Sequence, residues 1–317
     1  MASFLKDLEK DGYAVIPNIL TNEECDSAID GIWDWLALLS NGEIDRQDSD
    51  TWLTNWPYTF GKKGIIQWYG VGQSQFVWDV RQNPKVIDIF KKIWKTDDLL
   101  VSFDGINIQI PPEMLRSGFS PPFSEGWHHM DQGKKKIGRF CIQGFVNLEE
   151  TDEDDGCLVV RPGTHLLHQS FISEFGEEFA GGDWLKLEEH HRQWYDEGSY
   201  HPIRVQAPKG SVVLWDSRTV HANSTAQKGR ADPERFRYVI YTCYLPRKDA
   251  TEAQLKKKRK YFEEGRMTNH WPYGFKVFPM VPRLFGEKRY DEGFALTKGE
   301  FMLPNLSEVG RRLAGFD

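Results

Sequence analysis

Hydrophobic and polar positions change rhythm near residue 99 of this chain. Ahead of that point the spacing is helical. Thr21-Asn22-Glu23-Glu24 forms a capping box, followed by apolar Cys25, Ala28, Ile29, Ile32, Leu36 and Leu39 on one helical stripe. A short helix and an extended stretch, Tyr13 to Pro17, precede it. A second helix is expected from Asn83-Pro84, with Val86, Phe90, Ile93 and Trp94 on one side. Beyond residue 99 the pattern is that of short strands. The segments 100–110, 139–148, 157–160, 203–206, 211–216 and 236–244 are β-branched or aromatic and are parted by Gly, Pro and Asp turns. A helical insertion is expected between 171 and 197, carrying His190 and His191 as surface histidines. A capping box at Thr251 opens a last helix. Its run Lys256-Lys257-Lys258-Arg259-Lys260 reads as a solvated face balanced by Glu263 and Glu264, with a nuclear signal or anion patch as the alternative.

Neither an internal repeat nor a low-complexity linker divides the chain. The expectation is one domain over 1–317, with a β core at about 99–245 and helical additions at both ends. The fold class is mainly β with flanking helices, arranged as a sandwich or jelly roll. The 39% hydrophobic and 27% charged residues suit a soluble globular protein of 317 residues. A net charge of −7 argues against a nucleic-acid-binding surface. Cys25, Cys141, Cys157 and Cys243 form no Cys-x-x-Cys, so no zinc ribbon or dithiol site is suggested, and buried thiols in a reducing compartment are expected. The sequence shows neither a signal-peptide core nor an apolar run of membrane-spanning length, so a cytoplasmic location without a membrane partner is expected.

The candidate chemistry is in His129-Met130-Asp131, the one His-x-acid triplet of the chain, together with His221 ninety residues on. Residues i and i+2 of a strand point the same way, so one short strand can present His129 and Asp131 together. A histidine from a neighbouring strand would complete a 2-His-1-carboxylate set with open positions, the ligand arrangement of non-haem Fe(II) oxygenases. His128 alternates with His129 and should face away.

Four elements in order give this reading its context: Trp127 to Gln132; Gly156-Cys157-Leu158 through Arg161-Pro162-Gly163-Thr164-His165; Gly210 to Asp216 leading to Val220-His221; and the strand opened by Arg235-Phe236-Arg237. With the Asp11–Glu24 opening, this order resembles the phytanoyl-CoA dioxygenase family of Fe(II)/2-oxoglutarate-dependent oxygenases, over most of residues 10–245. The resemblance implies a double-stranded β-helix, iron held by His129, Asp131 and His221, and 2-oxoglutarate and O2 as co-substrates. It also implies an arginine on the far carboxylate of 2-oxoglutarate. Arg237 is the choice for it, because a guanidinium offers that carboxylate a planar fork. Arg237 lies sixteen residues after His221, beyond the expected spacing, with the polar segment 227–233 as a lengthened turn. Arg235, which shares its face, and Arg230 are rivals. His165 has a counterpart in the family turn that binds no metal, so it is read as structural.

Asn107 with Gln109, and Gln143 with Asn147, share strand faces. Each pair either lines the cavity, contacting 2-oxoglutarate or substrate, or satisfies the sheet edge. Asn223 and Ser224 are placed for the same contact. Trp52, Trp56, Tyr58, Phe60, Trp68, Tyr69, Phe76 and Trp78 form either a wall over the iron or a scaffold under the sheet. The implied activity is oxidation of a small organic molecule by hydroxylation, desaturation or ring closure. Asp131 argues against halogenation, since related halogenases replace that carboxylate with a small residue. A zinc hydrolase, a non-catalytic binding member of the fold and an interaction protein are the alternatives. The substrate is expected among specialised metabolites or amino-acid derivatives, with anionic character suggested by Lys62-Lys63.

Overall fold

Two antiparallel sheets face each other, and the change of rhythm near residue 99 marks where most of their strands begin. The computed structural model describes residues 3–52, 56–57, 59, 64–114, 127–282 and 302–317. Its helices are α1 (Ser3–Lys10), α2 (Asn22–Leu39), α3 (Gln75–Arg81), α4 (Pro84–Trp94), α5 (His168–Phe175), α6 (Glu189–Glu197), α7 (Glu252–Glu263) and α8 (Glu308–Leu313). The larger sheet contains β1 (Tyr13–Ile16), β2 (Ile65–Ile66), β3 (Leu99–Val101), β4 (Ile106–Gln109), β6 (Ile142–Asn147), β10 (Val212–Asp216) and β12 (Arg237–Pro246). It runs β1-β10-β6-β12-β4-β2, with β3 paired to the far end of β12. The smaller sheet contains β5 (His129–Met130), β7 (Cys157–Val160), β8 (Leu185–Lys186), β9 (Ile203–Arg204) and β11 (His221–Ser224), in the order β8-β5-β11-β7-β9.

Alternation along the strands decides what lies between the sheets. On β12, Tyr238, Ile240 and Tyr244 enter the large core packed with α2, α3 and α4. Val239 and Tyr241 point the other way and join Phe145, Val213 and Trp215 against Leu158 and Val160 of the smaller sheet. The inner face therefore carries Arg237, Val239 and Tyr241, and the outer face is backed by helices.

The helical expectations hold in detail. The Thr21 hydroxyl accepts from Glu24 N and the Glu24 carboxylate accepts from Thr21 N, at 3.2 and 2.8 Å, and every residue of the α2 stripe is buried. One strand is split where 100–110 is expected: β3 and β4 are separated by Ser102–Gly105. A Cβ on Gly105 would lie 1.9 Å from the Ile66 carbonyl oxygen, so only glycine permits β2 to approach there. Helix α3 is absent from the periodicity because Phe76, Val77, Trp78, Val80 and Arg81 are all buried, which leaves no polar stripe to mark a period.

Two expectations are corrected, and one open choice narrows. His191 is not a surface residue: it is 2% exposed, and its Nδ1 accepts from Glu188 N at the start of α6. The basic run of α7 is not wholly solvated, because Lys258 is buried with its ammonium donating to the Val101 carbonyl and lying 3.7 Å from the Phe103 ring centroid. Of the aromatics read as either a wall over the iron or a scaffold under the sheet, Trp52, Trp68, Tyr69, Phe76 and Trp78 belong to the helix-backed core and Trp56 packs against it, as the scaffold alternative has it. Tyr58, Phe60, Lys62 and Lys63 lie outside the described residues.

All four cysteines are buried and free, as expected. Among the described residues, no helix is long and apolar enough to cross a membrane. Burial lowers the pKa of His165, His168 and His191 below that of free histidine. In the window below about pH 6.5 the unfolded chain then binds more protons than the folded one. Stability of the metal-free protein is therefore expected to be full above that pH and to fall steadily on acidification. A melting temperature that stays flat from pH 7 to pH 5 would contradict this.

Candidate metal centre

Strand pairing brings the two distant histidines together. β5 and β11 are antiparallel neighbours with His129 directly opposite His221, and their ring centroids lie 4.2 Å apart. Asp131 follows at the end of β5, its backbone N–H held by the Ser217 carbonyl at 2.9 Å. Its Oδ2 lies 3.3 Å from His221 Nε2 and 3.8 Å from His129 Nε2, and the three ligand atoms all fall within 4.8 Å of one another.

The orientation of each imidazole is set by backbone. His129 Nδ1 lies 2.9 Å from the Trp127 carbonyl oxygen, and His221 Nδ1 lies 2.9 Å from that of Thr219. A carbonyl can only accept, so each Nδ1 carries the proton and each Nε2 keeps its lone pair toward the centre. Burial, reinforced by neighbouring His221, pushes the His129 pKa down to about 3, which keeps that ring neutral. Burial opposes ionisation of Asp131, but the imidazoles of His129, His270 and His221 outweigh it and hold the carboxyl below its usual range. Gln143 on β6 donates to Asp131 Oδ2 at 2.9 Å and fixes the carboxylate from the opposite sheet. Neutral nitrogens and an ionised oxygen form a donor set that fits a divalent metal.

A second cluster, Glu178, His190 and His191, fails the same test. His191 Nδ1 accepts from a backbone N–H, so the proton of the neutral ring must sit on Nε2, which faces Glu178 at 3.1 Å. That nitrogen has no lone pair to give. The cluster is a polar contact between the inserted helices, with His190 Nε2 2.9 Å from the Glu178 carboxylate.

The other predicted residues separate clearly. Arg237 is 5% exposed, donates to Asn223 Oδ1 through Nη1 at 2.6 Å, and forms no ion pair among the described residues. Its Nη2 is buried without a partner among the described residues, and the guanidinium sits 5.4 Å from the Phe145 ring centroid. Burial lowers its pKa. Arg235 and Arg230 are already engaged: Arg235 binds Asp152 and Asp155 at 2.6 and 2.8 Å, and Arg230 binds Asp155 at 2.6 Å. They pin the lengthened turn before β12 to the turn before β7. Asn107 lies opposite Val239 on the inner face, and Asn223 accepts from Arg237. Gln109 spans to the smaller sheet, donating to the Ser224 carbonyl at 3.2 Å. Asn147 instead binds the Glu149 and Ala207 carbonyls, away from the centre. His165 meets the Glu9 carbonyl of α1 and belongs to no metal-ligand cluster among the described residues.

Several contributors carried no sequence signal. The carbonyls of Trp127 and Thr219 act through backbone, which any residue type supplies. Tyr241 reads as an ordinary strand residue. His270, on the 267–278 hairpin pinned to Phe103 through Thr268, acts on Asp131 through its charge, and its Nε2 is buried without a partner among the described residues.

Gln143→Leu should keep the fold but release Asp131, lowering iron affinity by about 10–100-fold, as losses of outer partners do. Competition against a chelator of known affinity measures this, and an unchanged constant would remove Gln143 from the centre.

Comparison with known proteins agrees with this geometry. A family model described as phytanoyl-CoA dioxygenase matches residues 8–230. "Ava biosynthesis cluster protein O" of Aspergillus versicolor is 30% identical over 275 residues, 84% of this chain and 85% of that protein. Among solved structures, the hypothetical protein JW0805 of Escherichia coli has a TM-score of 0.64 at 16% identity, covering 100% of this chain and 82% of that one. The epimerase SnoN, crystallised with Fe3+, α-ketoglutarate and nogalamycin RO, has a TM-score of 0.50 at 14% identity, covering 77% and 82%. The chain belongs to the phytanoyl-CoA dioxygenase family, whose members are non-haem oxygenases using Fe(II), 2-oxoglutarate and O2.

Proposed function

We propose that this chain is an Fe(II)/2-oxoglutarate-dependent dioxygenase that oxidises a small organic molecule by hydroxylation, desaturation or ring closure. His129, Asp131 and His221 hold the metal, and the two facing sheets close around it as a double-stranded β-helix. The observation that carries the reading is Arg237: a buried guanidinium on the inner face, its Nη2 without a partner among the described residues, in a fold that also builds a 2-His-1-carboxylate cluster. Burying that cation costs several kcal/mol unless an anion meets it. The far carboxylate of 2-oxoglutarate supplies such an anion, with Asn223 and Tyr241 beside it. A zinc hydrolase has no use for this arginine.

Iron and 2-oxoglutarate together would supply the oxidising power of the reaction. The protein's part is positional. The Trp127 and Thr219 carbonyls keep both imidazoles in the metal-binding tautomer. Gln143 holds Asp131, Arg237 and Asn223 fix the co-substrate end, and Phe145, Leu158, Val160 and Val239 keep water from the space between the sheets. Retention of Asp131 speaks against halogenation, because its carboxylate fills the coordination position a halide would take.

The Aspergillus versicolor relative is named for a biosynthesis cluster, which supports a substrate among specialised metabolites. The test is anaerobic addition of 2-oxoglutarate to the Fe(II)-loaded protein, followed by O2. The expected result is a visible charge-transfer band, then O2-dependent succinate. No band and no succinate from fully loaded protein would reject the reading.

A further inference from the structure

Trp184 is 48% exposed, and unlike the other exposed hydrophobic side chains among the described residues it lies beside a candidate metal ligand. It immediately precedes the edge strand β8, whose Lys186 pairs with His129 and whose Leu185 pairs with Met130. Met130 and Leu185 belong to an apolar cluster with Phe171 and Tyr195 of the inserted helices, behind the smaller sheet. Two-residue alternation therefore puts Trp184 with Lys186 on the other face, the one carrying His129. The ring centroid of Trp184 lies 6.0 Å from that of His129, which also has Trp127 at 4.7 Å. The position is held firmly. Asp183 accepts from Lys136 Nζ at 2.5 Å and from Gly133 N at 3.2 Å. A Cβ on Gly133 would come within 1.9 Å of the Gly182 carbonyl oxygen, so the two loops are in close contact.

We infer that Trp184 is a substrate-binding platform at the edge of the metal centre and that the substrate presents a flat, largely apolar ring to it. A fixed indole beside a metal ligand offers a stacking surface at little ordering cost, and its partial exposure leaves one side for a ligand. Trp127, also against His129, adds a second indole to the surroundings of that ligand. This inference rests on the metal reading above, since it takes the His129 side of the cluster as the place where substrate approaches.

The test uses 5-fluoroindole as a flat probe and fluorocyclohexane as a puckered one, followed by fluorine NMR with the full chain loaded with Mn(II) or Zn(II). Paramagnetic Mn(II) broadens only a probe bound near the metal. Saturable broadening of 5-fluoroindole is expected with Mn(II) and not with Zn(II), with clearly weaker binding of fluorocyclohexane. Trp184→Ala should weaken 5-fluoroindole about fivefold or more, while Trp184→Phe keeps most of the affinity. Metal content and melting temperature, read on the same samples, show that each variant is folded and loaded. Equal binding by Trp184→Ala, equal binding of the two probes, or no broadening with Mn(II) bound would each overturn the platform. Failure to load Mn(II) at all would overturn the metal reading instead.

Discussion

His221→Ala should yield a folded protein that no longer holds iron. The variant removes one of only two nitrogens in the set, so its loss should exceed the about 10–100-fold that an outer partner costs. The fold should survive. His221 is flanked on β11 by Ala222 and Asn223, whose ladder to β7 is made by backbone, and its side chain points to the centre, outside the apolar clusters. Emptying the position leaves the Thr219 carbonyl without its imidazole donor, a loss that a water filling the vacated space can repair. Iron content after dialysis against a weak chelator is the measurement, with His128→Ala as the control that should retain metal. Wild-type iron in His221→Ala would mean that the pairing of β5 with β11 does not build a metal site.

Much of this was legible because it depends on residue type at fixed spacing. Polar caps at Thr21 and Thr251, the α2 stripe and the strand parity of His129 and Asp131 are local rules, and the structure repeats them. What was not legible depends on partners distant in sequence. Lys258 sits in a basic run and looks solvated, yet it is buried because α7 turns that residue onto Phe103 and Val101. His191 is drawn inward by its capping bond to Glu188. The aromatic stretch after Trp52 could not be assigned to a side of the sheet, since aromatic composition suits a pocket and a core equally. The choice among Arg230, Arg235 and Arg237 was open for the same reason: all three follow His221, and only the acids of the 152–155 turn distinguish them.

Those acids also show how the lengthened turn bears on the centre. Arg235 and Arg230 neutralise Asp152 and Asp155, and the Asp155 carboxyl is correspondingly held below its usual range, although burial opposes this. With both arginines bound outside the sheets, β12 begins at Arg237 with its side chain directed inward. The extra residues between His221 and Arg237 therefore leave the inner face intact, because their charges pair with each other.

Arg237→Ala is accordingly expected to cost the protein its co-substrate and little of its structure. In the wild type, Arg237 is engaged through Nη1 by Asn223, and its Nη2 has no partner among the described residues. Removing the guanidinium leaves the bound far carboxylate of 2-oxoglutarate desolvated and unpaired. Losses of that kind run to about 2–5 kcal/mol, on the order of 30- to 5000-fold in affinity. Folding should tolerate the change, since an uncompensated buried cation is a burden on the free protein. Titrating the Fe(II)–2-oxoglutarate charge-transfer band anaerobically gives the midpoint for each variant. Arg235→Ala should loosen the 152–155 turn and lower the melting temperature while leaving that midpoint within a few-fold of wild type. The opposite outcome, an unmoved midpoint in Arg237→Ala and a large shift in Arg235→Ala, would move the co-substrate site to the outer turn. The buried guanidinium between Asn223 and Phe145 would then need another anion.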